Sequence, residues 1–392
     1  MSSYRARIAA FLGLERNIVA VSAAMLLMAF GENLWKKFLP KYLEALGAPI
    51  RAIGVYGSLS DLVDGLYQYP GGWLGDHLGR RRALRLFAAA AMIGYGIYAI
   101  APTWPLAILA LFFATAWSSM GSPTLFAVVG DALPKERRAI GFTMQSILRR
   151  LPILIAPIAG GLVIARAGIV EGMHALFLVS VAVGFLTLFA LQRIDLPPLP
   201  TTVTNIRGVW RAFPLSLRWL LASDVFIRTC EAMVDIFLVI YATSIVGITV
   251  PEFGVLIAIQ TLTSIAVYIP AAKIADAFGR KPFVVATFVA FSLFPLAVVF
   301  AKSFAALAAA FVVAGLREIG EPSRKALIVD LADPSMRGRT VGLYYLMRSL
   351  AIAPAAIVGG LLWEQSPSLP MLVATTIGLA GTVVFIFTVD ET

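Results

Sequence analysis

The sequence predicts an all-α membrane protein of twelve transmembrane helices in two six-helix halves. Three observations predict it. First, 59% of the 392 residues are hydrophobic and only 14% are charged, with a mean hydropathy of +0.86. Soluble domains lie near about 45–50% apolar and about 25% charged. Second, the apolar residues fall in runs long enough to cross a bilayer, roughly 20 residues each. Third, one pattern of charged, proline and glycine positions occurs twice, about half a chain apart.

Apolar runs broken by charge, Gly and Pro give the spans. In the first half they are 17–46, 50–75, 83–101, 105–131, 138–165 and 173–192. In the second half they are 217–246, 252–275, 282–301, 304–331, 337–363 and 369–389. The expected organisation is therefore an N-terminal bundle at 1–192, a cytoplasmic linker at 193–216 and a C-terminal bundle at 217–392. The linker is rich in Pro and Thr, with a short interfacial helix expected around Val209 and Trp210. The first 16 residues are short and basic and lead into a full-length span, so no cleaved secretory signal is expected.

Orientation follows from counting Lys and Arg. With the N-terminus, the even-to-odd loops and the C-terminus on one side, that side holds 19 basic residues, including Arg80, Arg81, Arg82, Arg280 and Lys281. The other side holds 3: Arg51, Arg166 and Lys302. The positive-inside rule makes the first side cytoplasmic. The net charge of +10 is thus explained by topology and attraction to anionic lipid, and no nucleic-acid partner is expected. The single cysteine, Cys230, permits no intrachain disulfide, and no metal site is expected.

The repeat runs through nearly the whole chain. At an offset of 199, Glu32 maps to Glu231, Gly121 to Gly320, Pro123 to Pro322, Asp131 to Asp330, Arg138 to Arg337 and Arg149 to Arg348. Gly160 and Gly161 map to Gly359 and Gly360 at the same offset. At an offset of 200, Asp76 maps to Asp276, Gly79 to Gly279, Arg80 to Arg280 and Arg81 to Lys281. Two six-helix halves of the same orientation form a parallel repeat, related by an axis along the membrane normal.

The loop after the second span carries Gly72, Asp76, Gly79, Arg80 and Arg81 in the spacing G-x-x-x-D-x-x-G-R-R, and its copy keeps Asp276, Gly279, Arg280 and Lys281. This resembles the loop between the second and third helices of the major facilitator superfamily. The resemblance covers the whole chain. It implies the fold of that family and a conformational latch in which Asp76 faces the positive N-terminal end of a helix in the other half, near Arg337. The stretch "APIAGG" at 156–161 resembles, in degenerate form, a fifth-helix signature of proton-coupled exporters. The arginine that many proton-coupled members carry in the fourth helix is replaced by Trp117.

Charges inside spans are candidates for function, because each costs a few kcal/mol at the membrane centre. The seventh helix carries Asp224, Arg228, Glu231 and Asp235 within a stripe of about 60°. The tenth carries Arg317, Glu318, Glu321, Arg324 and Lys325. The first carries Glu32, Asn33, Trp35, Lys36 and Lys37, the second Asp61 and Asp64, the fifth Arg149 and Arg150, and the eleventh Arg348. Eight acids against nine bases imply that most are paired. The repeat suggests Glu32 with Arg149 and Glu231 with Arg348.

Burial disfavours the charged form of a carboxylate, and a neighbouring arginine favours it. An arginine that moves between states would let a carboxylate take up and release a proton. Proton-coupling candidates are Glu32 and Glu231, then Asp61, Asp64 and Glu318. Substrate-cavity candidates are Asn33, Trp35, Lys36, Trp117, Arg149, Arg228, Asp235, Arg317, Glu321, Arg324, Tyr345 and Arg348, with Tyr67, Tyr241 and Tyr344 as further aromatic contacts.

The expected function is that of a non-enzymatic secondary transporter. It would move small molecules by alternating access as a monomer in a bacterial-type inner membrane, with both termini cytoplasmic and membrane lipid around it. Proton-coupled export of amphiphiles is the first reading, with a proton gradient in place of any cofactor. Symport or exchange of a polar or anionic metabolite is the alternative, and a non-transporting receptor or lipid scramblase on the same fold is a more distant one. No phosphate loop for ATP is present.

Overall fold

The structure, a computed structural model, describes residues 16–121, 138–192, 213–332 and 337–389. Side chains at 16–20, 76, 138–149, 269, 272, 273, 276–278, 329 and 337–339 lie outside that description. Most of the expected linker, at 193–212, does so as well.

Among the described residues the chain forms twelve successive helices, numbered here α1 to α12. α1 is Arg16–Asn33, followed by short turns through Ala45. α2 is Ile50–Leu78, α3 Arg80–Ile100 and α4 Trp104–Met120. α5 is Arg138–Ala167 and α6 Ile169–Leu191. α7 runs Leu215–Asp235 and continues, bent by 44°, as Leu238–Val246. α8 is Val250–Phe278 and α9 Lys281–Phe300. α10 is split into Phe304–Leu316 and Glu321–Asp330, and α11 into Arg337–Ile352 and Ala355–Trp363. α12 is Leu369–Thr388.

Seven of these are long and apolar enough to cross a membrane by themselves, and eight with the bent α7. α10 falls short of that measure because its two pieces have 13 and 10 residues; α2 carries Asp61 and Asp64 in its middle. Several helices are inside out relative to a soluble protein. On α6 the exposed large apolar residues are Leu178, Val179, Phe185, Leu186 and Phe189, spaced as one helix face, whereas the polar Ser180 and Thr187 are buried. An apolar face left bare in this way is suited to lipid.

Packing divides the chain into two units. One comprises residues 1–47 and 63–202, the other 48–62 and 203–392. The sequence reading gave all of α2 to the first half. In the structure its first turns pack within the second unit, where the amide of Ile357 donates to Ser58 Oγ (3.0 Å) and Arg51 meets Glu364 at 2.5 Å.

Repeat-related positions solve the same backbone problem in each unit. Gly79 and Gly279 have φ of 82° and 97°, in the left-handed region that glycine tolerates best. Each turns the chain sharply between two long helices. A Cβ on Gly160 would run into the carbonyl of Leu34, and one on Gly359 into that of Met233. Leu34 and Met233 are themselves 199 residues apart, so α5 sits on α1 as α11 sits on α7, backbone against backbone.

Gly359→Val should therefore destabilise the detergent-solubilised protein, by about 1–3 kcal/mol if the helices shift only partly to accommodate it. Gly342→Ala, in the same helix but facing open space, should be neutral or slightly stabilising. Thermal unfolding followed by tryptophan fluorescence compares the two.

Candidate functional site

The densest chemistry lies in the second unit, where α7, α10 and α11 bring seven charged side chains and one tyrosine together. α7 supplies Asp224, Arg228 and Glu231 from one stripe. α10 supplies Arg317, Glu321 and Arg324. Its break between Leu316 and Glu321 is written in the sequence. Pro322 has no amide hydrogen and fits best in a first helical turn. Gly320 lies so close to α9 that a Cβ would strike the Phe283 carbonyl. The Gly320 amide, freed from the helix, donates to Thr287 Oγ1 at 2.6 Å. α11 supplies Tyr344 and Arg348.

The carboxylate of Asp224 is fully buried. Its Oδ2 accepts from Arg324 Nη1 at 2.7 Å, from the Tyr344 hydroxyl at 3.1 Å and from Arg348 Nη1 at 3.3 Å. Glu321 Oε2 accepts from Arg324 Nη2 at 2.9 Å, and its Oε1 accepts from Arg324 Nε at 3.2 Å and from Arg228 Nη2. Arg324 thus spends Nε and both terminal nitrogens on two carboxylates and is 1% exposed. It is the fixed centre of the network.

The other end is looser. Glu231 Oε2 accepts from Arg228 Nη1 at 2.8 Å, but Glu231 Oε1 meets Arg317 Nη1 only at 3.4 Å. The Glu231 side chain is 28% exposed, against 0% for Asp224 and 7% for Glu321. Arg317 is held by the carbonyl of Ala314 and by the faces of Phe291 and Phe294, at 4.8 and 4.9 Å, a cation–π arrangement. Pro295 explains part of this wall. It leaves the carbonyl of Phe291 without its helical donor, and the thiol of Cys230 takes that place at 3.5 Å. Cys230, Glu231, Asp235, Phe291, Phe294, Pro295 and Arg317 line a small recess.

Three buried atoms of the network, Asp224 Oδ1, Arg228 Nε and Arg348 Nε, have no hydrogen-bond partner among the described residues. One acceptor and two donors so placed can take a further polar partner. Arg348 also lies 4.7 Å from the centre of the Tyr345 ring.

The first unit is chemically different. Glu32 is buried and pairs with Lys36 one turn on, at 2.6 Å. Asn33 turns back to the carbonyl of Ala29. Trp35 is enclosed: its indole N–H donates to Ser180 Oγ at 3.1 Å, and Tyr95, Tyr98 and Phe177 surround its ring at 5.3–5.5 Å. Trp117 is buried within a π-helical turn, Ala116–Met120, that widens α4. That turn carries Ser119, whose hydroxyl donates to Asp64 Oδ1 on α2 at 2.7 Å. Asp61, Asp235 and Glu318 are half-buried.

One expected pairing is corrected. Arg348 reaches Asp224, not Glu231, and Glu231 is held by Arg228 and Arg317. The reason is axial position: Asp224 and Glu231 are seven residues apart, about 10 Å along the helix, and α11 delivers Arg348 at the level of Asp224. The expected partner of Glu32, Arg149, lies outside the described side chains, as do Asp76, Asp276 and Arg337 of the expected latch. Of that latch, Gly72, Arg81 and Lys281 are half-buried and Arg80 is buried. Arg280 forms an ion pair with Asp330 at the end of α10. Sequence reasoning places Arg280 in the expected latch and names no partner for it. The signal that points to the pair is that both residues recur in the repeat, as Arg80 and Asp131. The ring walls around Arg317 had no such signal.

Comparison with known proteins follows from this geometry. The family model described as Major Facilitator Superfamily matches residues 21–227 and again 220–392. An uncharacterized MFS-type transporter of Methanocaldococcus jannaschii, MJ1317, is 19% identical over 387 residues, covering 95% of each chain. Among solved structures, a POT family transporter in complex with a thioalcohol-conjugated peptide superposes with a TM-score of 0.80 at 14% identity, covering 95% of each chain. The nucleoside transporter NupG, as a point mutant, superposes with a TM-score of 0.79 at 13% identity, covering 95% of this chain and 100% of that one. At such identities the two structures speak for the fold.

Asp224→Asn leaves Arg324 short of a counter-charge in the middle of the bundle. It should cost about 3–5 kcal/mol and reduce the yield of folded protein on size-exclusion chromatography. Glu231→Gln, at the exposed end, should leave yield and melting temperature close to wild type.

Proposed function

This chain belongs to the Major Facilitator Superfamily of membrane transporters, and we propose that it carries a small, polar, anionic solute by alternating access, driven by a proton gradient. The observation that carries the reading is the loose end of the C-terminal network. Glu231 is a partly exposed carboxylate lodged between two guanidinium groups, Arg228 and Arg317. Four arginines, 228, 317, 324 and 348, are ion-paired there with three carboxylates, 224, 231 and 321, and Asp235 lines the adjoining recess. A solute carboxylate or phosphate offers the same oxygens to the same donors, so Glu231 acts as a built-in competitor for the site.

Export of amphiphiles has less support from the side chains. Such cargo calls for open aromatic walls, and Trp35, Trp117, Tyr241 and Tyr344 are all enclosed by their own unit. Tyr67 and Tyr345 remain partly open. The 19-to-3 distribution of basic residues supports cytoplasmic termini in an inner-membrane topology, which cysteine-accessibility mapping from either side would check.

The competitor idea predicts opposite signs for two neighbours. Glu231→Gln, which removes the competing charge, should raise affinity for a small organic anion by about tenfold, or roughly 1.4 kcal/mol. Arg317→Gln should lower it by a similar factor. Binding of a panel of carboxylates, phosphates, zwitterions and lipophilic cations to the purified protein, read by thermal shift and calorimetry, measures both. Preferential binding of lipophilic cations, weakened by Glu231→Gln, would overturn the reading in favour of amphiphile transport.

A further inference from the structure

The embedded acids are not equivalent. Glu32 has Lys36, Asp224 has Arg324 and Arg348, Glu231 has Arg228 and Arg317, and Glu321 has Arg228 and Arg324. Asp64 differs: among the described residues its carboxylate has no basic partner, and its hydrogen bond comes from the neutral hydroxyl of Ser119. It is the fifteenth of the 29 residues of α2, which places it near the middle of the span, and it is exposed.

Among the described residues no neighbouring helix brings a basic side chain into contact with Asp64. α4, which brings Ser119 to it, has no charged residue between Trp104 and Gly121. Within one turn on its own helix the ionisable groups are Asp61 and Tyr67, and the Tyr67 hydroxyl is committed to the carbonyl of Phe112 at 3.1 Å. The local geometry is also built for the contact. Ser119 sits in the π-helical turn of α4, a distortion that costs regular hydrogen bonds and is concentrated at functional sites. The adjacent hydroxyls turn elsewhere, Thr115 to the carbonyl of Leu111 and Ser118 to that of Thr115.

A lone carboxylate at that depth is costly as an anion and acceptable once neutralised. We infer that Asp64, positioned by Ser119, is the site at which the transported proton binds, and that the arginine-paired acids of the second unit are not. This rests on the reading of the chain as a proton-driven carrier, and it separates the two tasks. The first unit binds the proton, and the second unit holds the solute anion. The step is a simple protonation. The proton from the acidic compartment joins an oxygen of Asp64, Ser119 turns its hydroxyl accordingly, and the proton leaves on the other side.

Two measurements on the purified full chain test this without relying on transport. Infrared difference spectroscopy across a pH titration should show a protonated-carboxyl band that is absent in Asp64→Asn, retained in Asp61→Asn, and displaced in midpoint by Ser119→Ala but not by Ser118→Ala. In wild-type protein a hydrophobic carbodiimide, which reacts with protonated carboxyls, should label Asp64, less so as pH rises, with the site located by peptide mass spectrometry. This arm needs no variant to fold. A titrating band that survives Asp64→Asn, or labelling on Glu32 or Glu231 in place of Asp64, would overturn the assignment. In proteoliposomes, accumulation driven by a pH gradient should fall by about tenfold or more in Asp64→Asn, relative to exchange of solute without a gradient. If wild-type protein neither accumulates nor exchanges any anion, the reading as an anion carrier fails, while the infrared and labelling results still decide the proton site.

Discussion

The constraint on which the second unit depends is that charge buried in an apolar bundle must be met by opposite charge at hydrogen-bond distance. Asp224 and Arg324 are both essentially removed from solvent, and each would be intolerable there alone. Arg324 joins α10 to α7 through Asp224, and Tyr344 and Arg348 join α11 to the same oxygen. A slip of one helix past another by a single turn, about 5 Å, would break several of these bonds together. The register of three helices is therefore set by electrostatics. Apolar packing, which drives helix association weakly inside lipid, fills in around it.

The network is graded from a saturated centre to a loose rim. At Arg324 the donors on Nε and both terminal nitrogens are used. At Arg317 the ion pair is long, and aromatic faces take over the task of holding the guanidinium. Rearrangement costs least where fewest hydrogen bonds are lost. A solute or proton arriving at the rim can therefore redistribute partners there without disturbing the centre. The same chain thus combines a rigid anchor and an adaptable contact within a few turns of α7.

The two units share backbone devices and differ in chemistry. Gly79 and Gly279 make the same turn, and Gly160 and Gly359 make the same close approach. At the repeat positions of Asp224, Arg228, Arg317 and Glu318, however, the first unit has Met25, Ala29, Ser118 and Ser119. Glu32 and Glu231 are equivalent in sequence, yet one takes a lysine from its own helix and the other two arginines. Ser119, which meets Asp64, stands where the second unit has Glu318, so this neighbour of Asp64 is a neutral hydroxyl.

The sequence by itself determined the all-helical membrane architecture, the paired halves and the list of residues able to do chemistry. Those follow from composition, from span length and from a repeat with almost constant offset, all of which are local or additive properties of the chain. It also located the tight turns, because a glycine that recurs between two long helices has few other uses. The tertiary structure decided which charges meet. Pairing depends on axial level and helix rotation to within a few ångströms, and the sequence records neither. Glu231 and Arg348 share a repeat relation but sit at different heights, so Arg348 goes to Asp224. Trp35 has the composition of a cavity wall, but its ring is closed in by Ser180, Tyr95, Tyr98 and Phe177. Asp64 looks in sequence like any other embedded acid. Only the widened turn of α4, which rotates Ser119 onto it, sets it apart.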